Sequence, residues 1–594
     1  MDGVAESTGV YTPVGKLRDH DPDPFLYPGA LFADDAVGLT ADVEATVIFC
    51  AHVTAWCTEN EMSVGIKKCG IMEFPPNLED DDPPLLSDDH PLRASLKLQD
   101  QMVPLVTEYK YLGLRLTPSL TINDLVESRF RLGKITVATL APFLRSPCLP
   151  MFMRWQVFRA VVLPRLLFGA EVYGMNRKLT DRVQSMVSNA LIEIAGLART
   201  RRDLIPSAPL WHSFKVKPVC ALAAGRRARA FRKCFDLKTQ PKRLVERLLE
   251  TNYWTWSSGV PRWIHKWARP YWNEGMKTVG GNPYRDPNGI ASTVTPDNWQ
   301  SLTAEDIRKV VERCIYVREK RIREKDTRPR SKETVAYFQG GYYGSRPRLT
   351  HPRVFSKPEE TRGMQEILKY RIGAVDLAPR LAKGPDGRID PKYIRICPFC
   401  ERNEPETAYH VIFECAAWNR ARRDSGILGT ISDVESLWEK RREARSRRDR
   451  DRFRRLGISG RSFQAIGLVW ALGGAHSEEW RLQGFYPDAP KQSDAESVAD
   501  FSVASLGSDT SASDSEDEAG SLSSSSSTGT ESGNSDGETA MDDPHLYRMG
   551  RFLLRVRALR AQILKRLARQ WEAHNPPPAV IATTGTAEGQ SPNG

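Results

Sequence analysis

The stretch LFADDAVGLT, Leu31 to Thr40, decides how the rest of the chain is read. An apolar run reaches two adjacent carboxylates, Asp34 and Asp35, and returns to apolar residues before a helical pattern begins. Alternation on both flanks with two acids at the tip is the pattern of a β-hairpin that presents carboxylates to a metal. Hard divalent ions such as Mg²⁺ take oxygen ligands of this kind. In phosphoryl transfer such ions act as a pair, one on the attacking oxygen and one on the leaving oxygen. The plainer reading is a polar turn, where Asp is favoured for its local hydrogen bonds. The neighbours decide between the two.

From Ala41 the period changes. Val43, Val47, Cys50, Val53 and Trp56 recur at three and four residues, the stripe of an amphipathic helix, with Asp42 and Glu44 in its first turn. Lys67-Lys68-Cys69-Gly70 then leads into an apolar strand, Ile71 to Phe74. Residues 75–93 hold five prolines and six acids and read as a surface insertion. Strand-like pieces at Leu96–Leu98 and Val103–Val106 lead to YKYLGLRL at 109–116. Strand, acid pair, strand, helix, lysine, strand and hairpin is the order of the second half of an α+β palm.

FADD at 32–35, Trp56 followed by Lys68 in KKCGIMEF, and YKYLGLRL at 109–116 stand in one order at suitable spacing. Together they resemble the reverse transcriptase of non-LTR (LINE-type) retrotransposons, from its catalytic hairpin to its primer grip. The resemblance implies that Asp34 is the direct Mg²⁺ ligand, and that Asp35 ligates more weakly or holds the turn. It places Lys68 near the phosphates of the incoming nucleotide, where a cation offsets developing charge. It sets Tyr111, Leu112 and Gly113 against the primer backbone, with glycine permitting close approach. The partners implied are an RNA template and a DNA primer or target. The family carries another catalytic Asp on an earlier palm strand, after the fingers, and only 31 residues precede FADD here. Asp21 and Asp23 stand in a DHDPDP context that no buried strand tolerates, because proline removes ladder donors. The two-metal Mg²⁺ site is therefore expected to be incomplete, and the chain by itself is expected not to polymerise. It reads as the 3′ portion of an element's open reading frame or a truncated gene model.

After the palm, Asn123–Phe143, Met151–Tyr173 and Leu179–Leu197 read as helices, with a kink or break at Pro164. A helical bundle at this place matches the family's thumb, which cradles the template–primer duplex. The clusters Arg199–Arg202 and Arg226–Lys233 can neutralise phosphates without reading sequence. Tyr253, Trp254, Trp256, Trp263, Trp267, Tyr271 and Trp272 are interleaved with cations, an arrangement able to stack on bases. Four of them recur at helical intervals, so core packing is the reading taken. Residues 273–300 read as a loop and Leu302–Arg323 as a charged helix.

A second constellation follows: Cys397-Pro-Phe-Cys400, nine residues, His410, four residues, Cys415. Two thiolates, an imidazole and a third thiolate fit one tetrahedral Zn²⁺ site, structural because no position stays open. The bland alternative is a set of buried thiols near a turn. Many non-LTR elements carry a similar Cys-Cys-His-Cys segment after the thumb, with an acid-Thr-x-x-His stretch like Glu406 to His410. The remaining seven cysteines stand singly, the usage of a reducing compartment.

The net charge is +11, but residues 494–543 hold thirteen acids and no Lys or Arg, leaving +24 on the rest. Such an excess favours polyanionic partners. No basic start followed by an apolar core opens the chain, and no run of about 18 apolar residues suggests a membrane span. Glu439–Arg455, EKRREARSRRDRDRFRR, reads as a solvated helix or as a nuclear-import and phosphate-binding patch, and the nucleus is the expected location. His545–His574 is a basic amphipathic helix with Met549, Phe552, Val556, Leu559, Ile563, Leu567 and Trp571 on one face. It can dock on the chain, pair with a protein partner or bind RNA.

The expected fold class is α+β, mainly helical after the palm. Its divisions are an irregular lead-in (1–30), a partial palm (31–117), a helical thumb (118–240) and a connection (241–390). A zinc segment (391–420), a basic helical region (421–486), an acidic Ser-rich disordered stretch (487–544), the basic helix (545–574) and a disordered tail (575–594) follow. A reading from another class is a non-catalytic nucleic-acid-binding protein that uses the basic helices and the zinc segment.

Overall fold

Two antiparallel strands, Gly29–Phe32 (β1) and Asp35–Gly38 (β2), pair with Phe32 opposite Asp35. The structure, a computed structural model, describes residues 26–74 (save 28, 33 and 34), 86–197 (save 120), 205–250, 255–279, 294–324, 358–428 (save 384–386 and 401) and 544–575, with a few short pieces elsewhere. Asp34, Arg199–Arg202, Tyr253, Trp254, most of the run 439–455 and the acidic stretch lie outside the described residues.

Helix α1, Val43–Glu59, starts where Asp42 accepts the Ala45 N–H at 2.7 Å, satisfying one of the donors a helix leaves open at its first turn. It buries Ala45, Cys50 and Cys57, and Cys50 meets Leu98 and Val103 in a small core. Trp56 is not on the buried stripe; it is 55% exposed and Cys57 takes the inward position. Lys68 also departs from expectation. It sits exposed in a 3-10 turn, Ile66–Lys68, rather than at a strand, because the Cys69 N–H closes back on the Ile66 carbonyl at 3.0 Å. The strand expected from Ile71 reduces to one parallel bridge, Ile71 to Leu105. Similarly, Lys97–Leu98 turns at once and pairs with Gln101–Met102, so Val103–Val106 forms no strand.

Strands Tyr109–Tyr111 (β3) and Leu114–Leu116 (β4) form the second hairpin, with Leu112 at φ +47° and Gly113 at φ +76°. Positive φ at both central positions is what a two-residue turn matching the strand twist requires. Leucine carries a steric cost there of about 1 kcal/mol. Leu112→Asn is therefore expected to stabilise the chain by about 1 kcal/mol, read as a rise in thermal midpoint. A fall would show that the Leu112 side chain holds the turn. Among the described residues each sheet has two strands, and most of the rest is helix.

Helix α2, Ile122–Arg145, packs on α3, Arg177–Ile194. The face expected for α3, Leu179, Val183, Met186, Ala190, Leu191 and Ile194, is the buried one. Between them, Met151–Val157 runs through a π turn, Phe158–Val162, into Leu163–Leu166. The wide turn precedes Pro164, whose missing N–H and ring clash prevent a regular helix there. Fully buried Arg154 donates to the carbonyls of Leu144 and Ile194, each at 3.2 Å, tying the C-terminal ends of α2 and α3 together.

Helices α4, Val219–Asp236, and α5, Ala304–Glu324, pack closely around a second core. Trp256, Trp263, Trp267, Tyr271 and Trp272 belong to that core, with the Trp272 indole N–H on the Val294 carbonyl at 3.0 Å. The basic cluster of α4 turns inward too. Arg226 donates to the Leu167 carbonyl (2.9 Å), and Arg227 to the carbonyls of Gly174 (2.7 Å) and Trp256 (3.0 Å). Arg232 donates to the Gln300 and Leu302 carbonyls and to Asp236, and Arg229 pairs with Glu305. These guanidiniums satisfy carbonyls that neighbouring helix ends and loops leave open, so they are not a free phosphate-binding surface.

Helices α6, Pro358–Arg371, α7, Asn419–Ser425, and α8, Pro544–His574, close the structure. α8 lies on α6 and α7 and buries Met549, Phe552, Leu553 and Val556 in the core that α3 also lines. A Cβ at Gly363 would stand 3.0 Å from the Gly550 Cα, so the two backbones cross in near contact. Of the three roles open to this helix, the structure shows docking on the chain. No described helix is long and apolar enough to cross a membrane.

Candidate functional sites

The turn Cys397–Cys400 is closed by the Cys397 N–H on the Arg402 carbonyl at 3.3 Å. Nine residues separate it from His410. Thr407 caps the next turn, its hydroxyl accepting the His410 N–H at 3.0 Å. A π turn, His410–Glu414, then carries the chain to Cys415, whose N–H returns to the His410 carbonyl at 2.7 Å. These three local devices bring four side chains to one point. The sulfurs of Cys397, Cys400 and Cys415 and a ring nitrogen of His410 all lie within 4.8 Å of one another.

The donor set fits a tetrahedral metal. Cys397 and Cys415 sulfurs are 3.9 Å apart, and Cys400 Sγ is 3.3 Å from His410 Nε2. A disulfide needs about 2.05 Å between sulfurs, whereas two thiolates on one Zn²⁺ at about 2.3 Å each stand about 3.8 Å apart. Cys397, Cys415 and His410 are buried. The Cys415 contact draws the Cys397 thiol down to about 5 against the effect of burial, helped by the backbone N–H groups of Phe399 and Cys400. The same contact, with burial, pushes the Cys415 thiol up. A cation is the ordinary way to hold such crowded thiols as thiolates together. His410 Nδ1 faces Glu414 at 3.4 Å and Glu404 at 3.6 Å, the carboxylate arrangement that orients a ligating imidazole. Four protein ligands would leave no open position, an arrangement compatible with a structural metal.

Sequence reading missed what stands behind this centre. Glu406, adjacent to the capping Thr407, is buried and accepts the Ala378 N–H at 2.6 Å. Arg560 of α8 reaches it with two hydrogen bonds, 2.6 Å to Oε1 and 2.9 Å to Oε2. A third goes from Arg560 to the Asp376 carbonyl at 2.9 Å, and its guanidinium lies over the Phe399 ring. The acid before Thr407 was visible in the sequence; its partner stands 154 residues later.

Among the polymerase-like residues, Asp35 is exposed at the start of β2, Lys68 is exposed in its turn, and Leu112 is 41% exposed at the hairpin tip. Tyr109, at the start of β3, donates its hydroxyl to the Lys68 carbonyl at 2.5 Å. Burial raises the Tyr109 hydroxyl's pKa, and the nearby Cys69 and Asp35 raise it further. The second hairpin is thus bonded to the lysine turn, and Asp35 of the first hairpin lies near enough to act on the Tyr109 hydroxyl electrostatically. Tyr111 is half-buried beside the tip. The Gly113 carbonyl accepts from Arg129 of α2, whose guanidinium lies 4.5 Å from the Phe168 ring centroid, so the grip-like hairpin rests on the helical bundle. Among the described residues no group of three or more acids, cysteines or histidines gathers at Asp35. The residues described there do not complete a two-metal Mg²⁺ site. Comparison with protein-family models, curated proteins and solved structures finds no match to this chain.

Proposed function

We propose that the chain is the C-terminal part of a non-LTR retrotransposon reverse transcriptase, an RNA-directed DNA polymerase, and that it binds an RNA template with a DNA primer. The observation that carries the reading is the hydrogen bond from the Tyr109 hydroxyl of the second hairpin to the Lys68 carbonyl, with Asp35 of the first hairpin near enough to act on that hydroxyl electrostatically. On this reading β1–β2 carries the metal-binding acids Asp34 and Asp35, and Lys68 stands near the nucleotide phosphates. Tyr111, Leu112 and Gly113 contact the primer, and the helices α2 and α3 form the thumb. The Cys397, Cys400, His410 and Cys415 centre holds structural Zn²⁺ next to them, and the basic run at 439–455 directs the protein to the nucleus.

With two adjacent acids and no third carboxylate gathered at Asp35 among the described residues, a pair of Mg²⁺ ions lacks its usual charge balance. The chain by itself is thus expected to bind a template–primer without extending it. Extension assays with Mg²⁺ and all four deoxynucleotides check this directly. Incorporation by the purified chain that is lost in Asp35→Asn would overturn the claim of inactivity. Absence of any template–primer binding across a salt series would overturn the polymerase reading itself.

A further inference from the structure

The charges of α8 are sorted by direction. Its 31 residues hold a single acid, Glu572, among seven arginines and Lys565. Three arginines find acids on the body of the chain: Arg555 with Asp424 at 3.1 Å, Arg557 with Glu366 at 2.6 Å, and Arg560 with Glu406. Arg548, Arg551, Arg566 and Arg569 are exposed and meet no acid among the described residues.

These four advance along the helix by 3, 15 and 3 residues, which at about 100° per residue places them within an arc of about 60°. At about 1.5 Å per residue the row is about 32 Å long. Arg555 lies in the same arc, at the edge where α8 meets α7. An ordinary solvated helix alternates signs, because like charges three or four residues apart repel by a few tenths of a kcal/mol. Here the like-charged spacing is repeated on one side, while Glu366 and Glu406 lie beneath and Asp424 meets the row only at Arg555.

We propose that this exposed side of α8 is a binding surface for the phosphate backbone of a nucleic-acid strand, held rigid by the docking of its opposite side beside the metal centre. The proposal takes its ligand from the nucleic-acid reading above. A row of guanidiniums contacts phosphates without base contacts, so affinity should follow salt and not sequence. With Arg226 and Arg227 of α4 spent on internal carbonyls, α8 supplies an exposed cationic row.

The test uses the full zinc-loaded chain and fluorescence anisotropy with a labelled RNA strand, the same strand as DNA, and its duplex, each across a salt series. Replacing Arg548, Arg551, Arg566 and Arg569 together by Gln should lower the salt slope by about three on a single strand and weaken binding at least tenfold. The corresponding Lys variant should keep slope and affinity, because charge and not shape is required. Equal loss in the RNA and DNA arms identifies the shared phosphates as the ligand; loss confined to RNA assigns the surface to RNA alone. An unchanged slope in the Gln variant, beside a salt-dependent wild type, overturns the proposal and leaves the polymerase reading standing. Loss in the Lys variant as well, with zinc content intact, also overturns it. A wild type that binds no strand overturns both.

Discussion

Cys397→Ser is expected to lower bound zinc from about one ion per chain to near zero, and to loosen the whole unit built on residues 391–427 and α8. The four candidate ligands come from a turn, a capped π turn and the residue after it. Cys397 and Cys415 belong to the same core as Met549, Phe552 and Val556 of α8, so freeing the thiols also unseats that helix. Structural zinc contributes on the order of 10 kcal/mol or more to such small segments at neutral pH. Several kcal/mol should therefore vanish from the stability of this unit even after some compensation. Zinc stoichiometry by atomic spectroscopy and amide exchange across Leu553–Val556 read the two effects. Full zinc in Cys397→Ser, or unchanged exchange in a zinc-free variant, would contradict the account.

Breaking the Arg560–Glu406 pair should be the most damaging change away from the ligands. Both side chains are almost fully enclosed, at 8% and 0% exposure. Arg560→Ala leaves a buried carboxylate with only the Ala378 N–H, and a loss of about 3–5 kcal/mol is expected. Glu406→Gln should cost less but in the same direction, since its amide still accepts one hydrogen bond. Replacing both residues by apolar ones of similar volume should recover most of the loss, because the penalty belongs to the unpaired charge. Denaturant midpoints of the two single variants and the double variant give the coupling. Because Glu406 precedes the Thr407 that caps the His410 turn, Arg560→Ala should also weaken zinc binding about tenfold. Additive losses in the double variant would mean that the pair is not the contact holding α8.

How far the chain was legible follows the range of the interactions. The β1–β2 hairpin, the start of α1 at Asp42, the buried face of α3 and the break near Pro164 were all written in local pattern, and the structure has them. So was the cluster of Cys397, Cys400, His410 and Cys415, which the structure brings together as a group able to hold a metal ion. The misreadings came where tertiary contacts outvoted local pattern. Trp56 fits the helical stripe by spacing, yet it stands 55% exposed and the neighbouring Cys57 is buried in its place. The Arg226–Lys233 run looks like a phosphate patch in sequence, and only the neighbouring carbonyls of residues 167, 174 and 256 show otherwise. The role of α8 was open because its partners, Glu366, Glu406 and Asp424, precede it by more than a hundred residues.

The most direct test of the polymerase reading places a photocrosslinking benzoylphenylalanine at Leu112, the exposed tip of the second hairpin, and irradiates the chain with an end-labelled RNA template and DNA primer. Crosslinks should fall on the primer strand within a few nucleotides of its 3′ end, and should disappear when the primer is omitted. Crosslinks spread evenly along either strand, or equally strong on template alone, would contradict the assignment of this hairpin to the primer terminus.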